Sequence, residues 1–218
     1  MNLHNLGLKN SILNQFMAEL RDVNIQTDRM RFRRNVERIG EIMAYEISKT
    51  LKFHTIKIQT PLGVQAVSVS CDSIVLATIL RAGLPFHQGF LSYFDKAENA
   101  FISASRKYNE DHSDFTIEFG YLSSPSIAGK TLIIIDPMLA TGSSLDLAYQ
   151  LLLKRGKPAR IHVACVIASR HGVEEASRLF PKEITSIWAG AIDLDLNDKA
   201  YIVPGLGDAG DLAYGEKI

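Results

Sequence analysis

The sequence predicts an α/β fold with a central parallel sheet flanked by helices. Three observations predict it. Thr131–Ile135 is an unbroken run of β-branched residues and Leu, the composition of a strand buried on both faces. Ser73–Leu80, Ile161–Ala168 and Ile184–Ile192 read in the same way. Stretches with helical spacing lie between such runs, and strands alternating with helices make a parallel sheet.

Taken in order, Ser11–Arg21 has apolar residues at 12, 13, 16, 17 and 20 and reads as a short helix. Thr27 and Asp28 are N-cap residues for a longer one, whose apolar stripe is Phe32, Val36, Ile39, Met43 and Ile47. Arg29, Arg31, Arg33, Arg34 and Arg38 form a basic patch on it, read as a solvated face or a subunit contact rather than a nucleic-acid surface. Phe53–Gln59 and Val64–Ser70 alternate around Thr60-Pro61-Leu62-Gly63 and predict a hairpin. Ser73–Leu80 is the first buried strand. At its carboxyl end comes Arg81-Ala82-Gly83, where a charged residue belongs to a ligand site or pairs with a carboxylate. Leu84–Phe94 is a helix with Phe86, Phe90, Leu91 and Phe94 on its apolar face, and Asn99–Ser105 is the next strand. Tyr108–Tyr121 is polar and acidic; it reads as a long connection, and such loops often serve as lids.

After the Thr131–Ile135 strand, residues 145, 148, 151 and 152 mark a helix over Leu145–Lys154, closed by Lys154-Arg155-Gly156. Ile161–Ala168 is a buried strand, Gly172–Leu179 a short helix stopped by Pro181, and Ile184–Ile192 the last core strand. His171 stands alone in a loop and is given no role. In the C-terminal stretch Tyr201–Asp211, Asp208 and Asp211 sit among Pro204, Gly205, Gly207 and Gly210, which favours a shaped ligand loop over a flexible tail.

The chemistry concentrates at 131–144. Asp136 ends the strand where open α/β sheets bind ligands. The small residues that follow let a backbone approach an anion, Gly142 can take φ > 0, and the next helix presents unpaired N–H groups and a partial positive charge. Thr141, Ser143 and Ser144 add hydroxyls, so the segment predicts a phosphate cradle. A carboxylate just ahead of it suits a ligand with ribose hydroxyls, or a metal, beside its phosphate. GxxxxGK[ST] and GxGxxG are both absent here. Ser143 either occupies a strained φ > 0 position or opens the helix; the second is expected, because Gly142 can supply the unusual backbone angle alone.

Composition sets the outer limits. The chain has 218 residues, 46% hydrophobic and 22% charged, which suits one globular domain with additions. Its 24 basic residues balance its 24 acidic ones, so nothing in bulk charge points to nucleic acid or an anionic membrane. Cys71 and Cys165, with no CxxC and no clustered His, indicate buried thiols rather than zinc or disulfides. No stretch reaches a membrane-spanning length and no signal-peptide core opens the chain, so a cytoplasmic location is expected.

An apolar strand, Asp136, a short spacer and Thr141-Gly142-Ser143-Ser144 resemble the phosphoribosyl pyrophosphate motif of type I phosphoribosyltransferases. Pro137 stands where most of that group carry a second acid, and Ser143 where the pattern has Gly. Asp136–Gly142, Ile79–Gly83 and Tyr201–Asp211 together resemble the uracil phosphoribosyltransferase family, over most of the chain from about Arg29 onward. That resemblance implies one domain over 1–218, with a helical arm at 1–52 used in dimer contacts, a β-hairpin flap at 106–121 and a uracil-binding C-terminal region at 193–218. It implies transfer of phosphoribose from phosphoribosyl pyrophosphate to uracil, giving UMP and pyrophosphate. Phosphoribosyl pyrophosphate would then meet Arg81, Arg106, Asp136, Pro137, Met138, Leu139, Ala140, Thr141, Gly142, Ser143, Ser144 and Asp208. Uracil would meet Ile202, Gly207, Asp208 and Ala209, mostly through backbone groups. Asp208 and Arg106 take the catalytic roles, and Mg²⁺ enters on the pyrophosphate with Asp208 on the metal side. The match at Arg106 is to Ser-Arg-Lys-Tyr-Asn-Glu where the family has Tyr-Arg-Asn-Glu, and Ser169–Gly172 departs from Ala-Pro-Glu-Gly. A homodimer or homotetramer is implied, with GTP as an activator in some relatives. Two rivals remain: a phosphoribosyltransferase for another base, and a non-catalytic regulator on the same fold that senses nucleotides and binds RNA. The neutral charge and the intact Asp136 and Asp208 weigh against the regulator.

Overall fold

In the computed structural model, the structure describes residues 1–108 and 115–216, with the backbone alone for 104–119. The central sheet has strands β1 (Asn2–Asn5), β4 (Ile74–Leu80), β5 (Glu98–Tyr108), β6 (Phe115–Ser123), β7 (Thr131–Ile135), β9 (Arg160–Ser169) and β10 (Thr185–Asp193) in the order β1-β10-β9-β7-β4-β5-β6. A two-residue strand, β8 (Met138–Leu139), also pairs with β9. Every pairing in the sheet is parallel except β5 with β6. The non-alternating strands β4, β7 and β9 are buried along almost their whole length, as their composition requires.

Helices cover both faces. On one lie α1 (Ile12–Arg21), α2 (Arg29–Ser48) and α3 (Gly83–Leu91), whose Leu20, Phe32, Ile39, Met43, Phe86 and Phe90 share a core with Ile133, Ile135 and Trp188 of the sheet. On the other lie α4 (Ser143–Leu153) and α5 (Arg170–Leu179), with Leu145, Leu152 and Ala176 packed against Leu132, Ile134 and Val163. Ser11 and Asp28 cap α1 and α2 by accepting from the N–H groups of Leu13 and Arg31. The strands β2 (Phe53–Thr60) and β3 (Gly63–Ser70) form a separate two-stranded hairpin, mostly exposed. No helix among the described residues is long and apolar enough to cross a membrane.

Several elements differ from expectation. The segment 1–52 is not wholly helical: Asn2–Asn5 adds an edge strand to β10. Strand β6 begins at Phe115, inside the stretch Tyr108–Tyr121 read as a polar connection, and the strand before it runs past Ser105 to Tyr108. The signal was present, since Phe115, Ile117, Phe119 and Tyr121 alternate with period two. Residues 109–114 lie outside the described residues. Of the two cysteines only Cys165 is buried; Cys71 is exposed. The C-terminal stretch is not all loop: β12 (Ile202–Val203) pairs with β11 (Asp195–Leu196), and Ala209–Tyr214 forms a sixth helix, α6.

Candidate active site

Strand β4 has β5 on one side and β7 on the other, so the chain's connections leave it in opposite directions. Open α/β sheets bind ligands at such a switch point, beyond the carboxyl ends of the strands. Thr78 of β4 and Ile135 of β7 are register partners; Arg81 follows the first strand and Asp136 the second. A cavity of about 340 Å³ opens there. It is lined by Arg81, Asp136, Met138, Leu139, Ala140, Thr141, Gly142, Ser143 and Ser144 from one side, and by Ile202, Gly207, Asp208 and Ala209 from the other. Two segments some sixty residues apart in sequence thus meet on one concave surface. The structure does not bring Pro137 there: it is buried between β7 and β8, and its carbonyl accepts from the Ile167 N–H at 3.0 Å. The side chain of Arg106 lies outside the described residues, and its backbone pairs with Ile117 in the β5–β6 hairpin.

The loop from Asp136 to Ser144 is held from below. Asp136 donates its N–H to Ala164 at 3.1 Å and accepts from the Met138 N–H at 3.2 Å. Beneath it the Cys165 thiol is pushed up, first by burial and then by the charge of Asp136. Ser169, fully buried at the end of β9, donates to the Ala140 carbonyl at 2.6 Å and accepts from the Gly172 N–H at 2.8 Å. A Cβ at Gly172 would lie 2.5 Å from the Leu139 carbonyl oxygen, so only glycine lets α5 approach the loop this closely. These contacts give Ser169 and Gly172, where the sequence departs from the family pattern at Ser169, a part in shaping the cradle. Gly142 has φ of 84° and Ser143 is the first residue of α4, so the left-handed angle falls on glycine alone. Thr141 Oγ1 accepts from the Ser143 N–H at 3.4 Å and lies 3.0 Å from Ser143 Oγ. Ser143, Ser144 and Leu145, in the first turn of α4, line the cavity, where helix N–H groups favour an anion.

The C-terminal wall is fastened by three arginines from different elements. Arg21 of α1 makes two bonds to the Asp193 carboxylate, at 2.8 and 2.9 Å, and donates to the Gly205 carbonyl at 3.2 Å. The same carboxylate accepts from the Gly205 N–H at 2.8 Å. Burial would raise the Asp193 pKa, but the bonds from Arg21 and Gly205 and the charge of Arg21 outweigh it and hold the carboxyl below its ordinary value. Arg33 of α2 donates to the Ala213 carbonyl at 2.7 Å. Arg81 donates from Nη2 to Asp211 Oδ1 at 3.0 Å and to the Gly215 carbonyl at 3.2 Å. Asp208, expected on the metal side, also caps α6: its Oδ1 accepts from the N–H groups of Gly210 and Asp211 at 2.8 and 3.0 Å.

Four of the five arginines of the basic patch make contacts of their own. Arg33 docks α6, Arg31 bonds Glu19, Arg34 pairs with Glu37, and Arg38 bonds Asn35 and lies over the Phe16 ring. Bonds from Asn35, Arg31 and Gln15 hold Glu19 down to about 2. Sequence reasoning placed Tyr201 and Asp211 in a ligand loop without giving either a role, and missed Ala200 of the cavity wall and Arg21 and Asp193 behind it. The last pair is separated by 172 positions, and no local pattern marks it.

A family profile described as uracil phosphoribosyltransferase matches residues 7–216. A uracil phosphoribosyltransferase of Porphyromonas gingivalis is 57% identical over 218 residues, covering 100% of both chains. One from Pyrococcus furiosus is 38% identical over 207 residues, 94% of this chain and 86% of its own. Among solved structures, a protein of Aquifex aeolicus superposes with a TM-score of 0.84 at 30% identity, covering 98% of each chain. A hypoxanthine phosphoribosyltransferase of Staphylococcus aureus shares the fold at a TM-score of 0.50 and 16% identity, over 86% of this chain and 83% of its own.

Proposed function

The chain belongs to the uracil phosphoribosyltransferase family, and from that premise we propose which of its residues carry the transfer. The reaction joins N1 of uracil to C1′ of 5-phospho-α-D-ribose 1-diphosphate and gives UMP and diphosphate. Breaking the C1′–O bond builds positive charge on the ribose and negative charge on the departing diphosphate, so the protein acts chiefly by position and electrostatics. The observation that carries the assignment is the meeting of the 136–144 and 202–211 segments on one cavity at the switch point.

The 5′-phosphate sits on Ala140–Ser144, where the first turn of α4 and the Thr141 and Ser143 hydroxyls supply donors. Asp136 takes the ribose hydroxyls, at the end of β7. Arg81 faces the diphosphate, and the family resemblance adds Arg106 as a second charge to offset it. Uracil lies against backbone groups of Ile202, Gly207 and Ala209; its edge alternates C=O and N–H, and small residues let the main chain reach it. Asp208 orients that wall through the cap of α6 and lies on the ribose side. The β5–β6 hairpin is the cover over the substrates.

Asp136 and Asp208 both line the cavity, and no cluster of three or more His, Cys, Asp or Glu that could cage a metal occurs among the described residues. That donor set fits Mg²⁺ carried in on substrate phosphates, with these two carboxylates to hold it. When bound, Mg²⁺ offsets charge on the diphosphate. A homodimer or homotetramer, GTP activation and a cytoplasmic location are further parts of this reading and rest on the family resemblance and the composition.

The test is a panel of uracil, cytosine, hypoxanthine, guanine and orotate, each with phosphoribosyl pyrophosphate and Mg²⁺, read as diphosphate release. Uracil is expected to be turned over best. Cytosine carries an amino group where uracil has O4, and a buried donor left unpaired there costs about 1–3 kcal/mol. Faster turnover of either purine than of uracil would overturn the assignment.

A further inference from the structure

Arg81 lies where the two halves of the cavity meet. It follows β4 on the phosphate side, yet both of the hydrogen bonds its guanidinium makes among the described residues go to the C-terminal wall, and both leave from Nη2. One partner is the Asp211 carboxylate, in the first turn of α6; the other is the Gly215 carbonyl just beyond that helix. Nε is buried without a partner. Among the described residues the guanidinium is therefore tied by one nitrogen, and its remaining donors have no protein partner. The Arg81 and Asp211 side chains are 35% and 36% exposed, and a pair this open contributes little to stability. Its geometry has a clearer use. An arginine on a long side chain loses freedom when it binds an anion, and a carboxylate that holds it beforehand removes that cost.

We propose that Asp211 is a positioning residue for the phosphoribosyl pyrophosphate site. Its carboxylate holds Arg81 by Nη2, leaves Nη1 for the diphosphate, and ties that arginine to the helix that follows the uracil loop. This rests on the reading above, in which Arg81 meets the diphosphate. It extends that reading to a residue outside both the phosphate cradle and the base contacts.

The test measures phosphoribosyl pyrophosphate binding by calorimetry, with Mg²⁺ and without any base, in the wild-type protein and in Asp211→Ala and Asp211→Asn. Asp211→Ala is expected to weaken binding by about 5–30-fold, within the usual range of a coupling between sites. Asp211→Asn keeps an acceptor oxygen but not the charge, and is expected to lose only about 2–5-fold, because a charge-assisted bond is roughly twice as strong as a neutral one. Melting temperatures should move little in either. Unchanged base-free affinity in both variants, with loss confined to the uracil KM or to melting temperature, would make Asp211 a simple anchor of α6 and overturn the proposal. Tighter binding would overturn it too, since the carboxylate would then only compete with the diphosphate for Arg81. If Asp211→Ala does not fold, Asp211→Asn alone decides, by the same criteria. The comparison uses no base, so a wild-type protein that binds phosphoribosyl pyrophosphate but fails to turn over uracil would sink the base assignment and leave this result standing.

Discussion

Replacing Asp193 by Asn should loosen the base loop without touching the cavity. Asp193 is the last residue of β10, and its carboxylate accepts three bonds: two from Arg21, at 2.8 and 2.9 Å, and one from the Gly205 N–H at 2.8 Å. Asn offers a single acceptor oxygen, so the bidentate pair and the Gly205 bond cannot both survive. The Asp193 side chain is only 9% exposed, and Arg21 is 26% exposed. Removing one partner of a buried pair typically costs about 3–5 kcal/mol, because the other charge is left behind. Water reaches about a quarter of Arg21 and screens part of that, so a loss of about 2–3 kcal/mol is expected. In a chain of this length each kcal/mol moves Tm by about 2–4 °C, which puts the variant about 4–12 °C below wild type. Gly205 stands two residues before Gly207, so the uracil KM should rise while the KM for phosphoribosyl pyrophosphate holds. Thermal melting and steady-state kinetics measure both. A Tm within about 1 °C of wild type would refute the energetic reasoning, and a lowered Tm with an unchanged uracil KM would refute the link between the ion pair and the loop.

Two further outcomes follow from the site and the core. Gly142→Ala should raise the KM for phosphoribosyl pyrophosphate at least about fivefold more than Ser143→Gly does: φ at Gly142 is 84°, which costs a Cβ residue about 1–3 kcal/mol, while a helical position carries no such strain. A Cβ at Gly142 would come no closer than 3.4 Å to another residue, to Glu175 Cβ, so the penalty is one of backbone angle rather than crowding, and kinetics that harm Ser143→Gly more would misplace the cradle. His162 is buried, its pKa pushed down from 6.5 to about 4, by burial first and by the Arg160 charge second, against the pull of Asp72. Because the unfolded chain takes up this proton more readily, the stability it confers is complete above pH 6.5 and is lost as pH falls toward 4, by up to about 3 kcal/mol. Urea unfolding across that range should show the slope, and His162→Gln, which keeps an acceptor for Trp188 Nε1, should flatten it; an equal slope in both would assign it to other groups.

What was legible in the sequence is the part specified locally. Thr131–Ile135 and Ile161–Ala168 are buried on both faces, so their apolar runs need no partner to be recognised. Gly142 and Ser143 could be assigned because a left-handed turn before a helix leaves few choices of residue. The elements that were missed take their form from distant contacts. Asn2–Asn5 has no strand composition and exists by pairing with β10. The six residues of α6 include a glycine and would not hold a helix alone; Asp208 caps it, and Arg33 and Arg81 fasten it. Asp211 reads as one more acid in a glycine-rich loop until the fold places Arg81 at 3.0 Å. In the basic patch on α2, Arg29, Arg31 and Arg34 are exposed as read, but Arg31 also bonds α1 and Arg33 the C-terminal helix, contacts that no local pattern marks.

The central claim is that the 140–144 cradle and the 207–209 backbone form one site that binds the two ends of UMP. Titration of the protein with UMP, followed by amide chemical shifts, tests it most directly. The account predicts that the largest changes fall together on Gly142, Ser143 and Ser144 and on Gly207 and Ala209, saturating with a single affinity. A footprint that leaves either group unmoved, or that moves the two with different affinities, would contradict it.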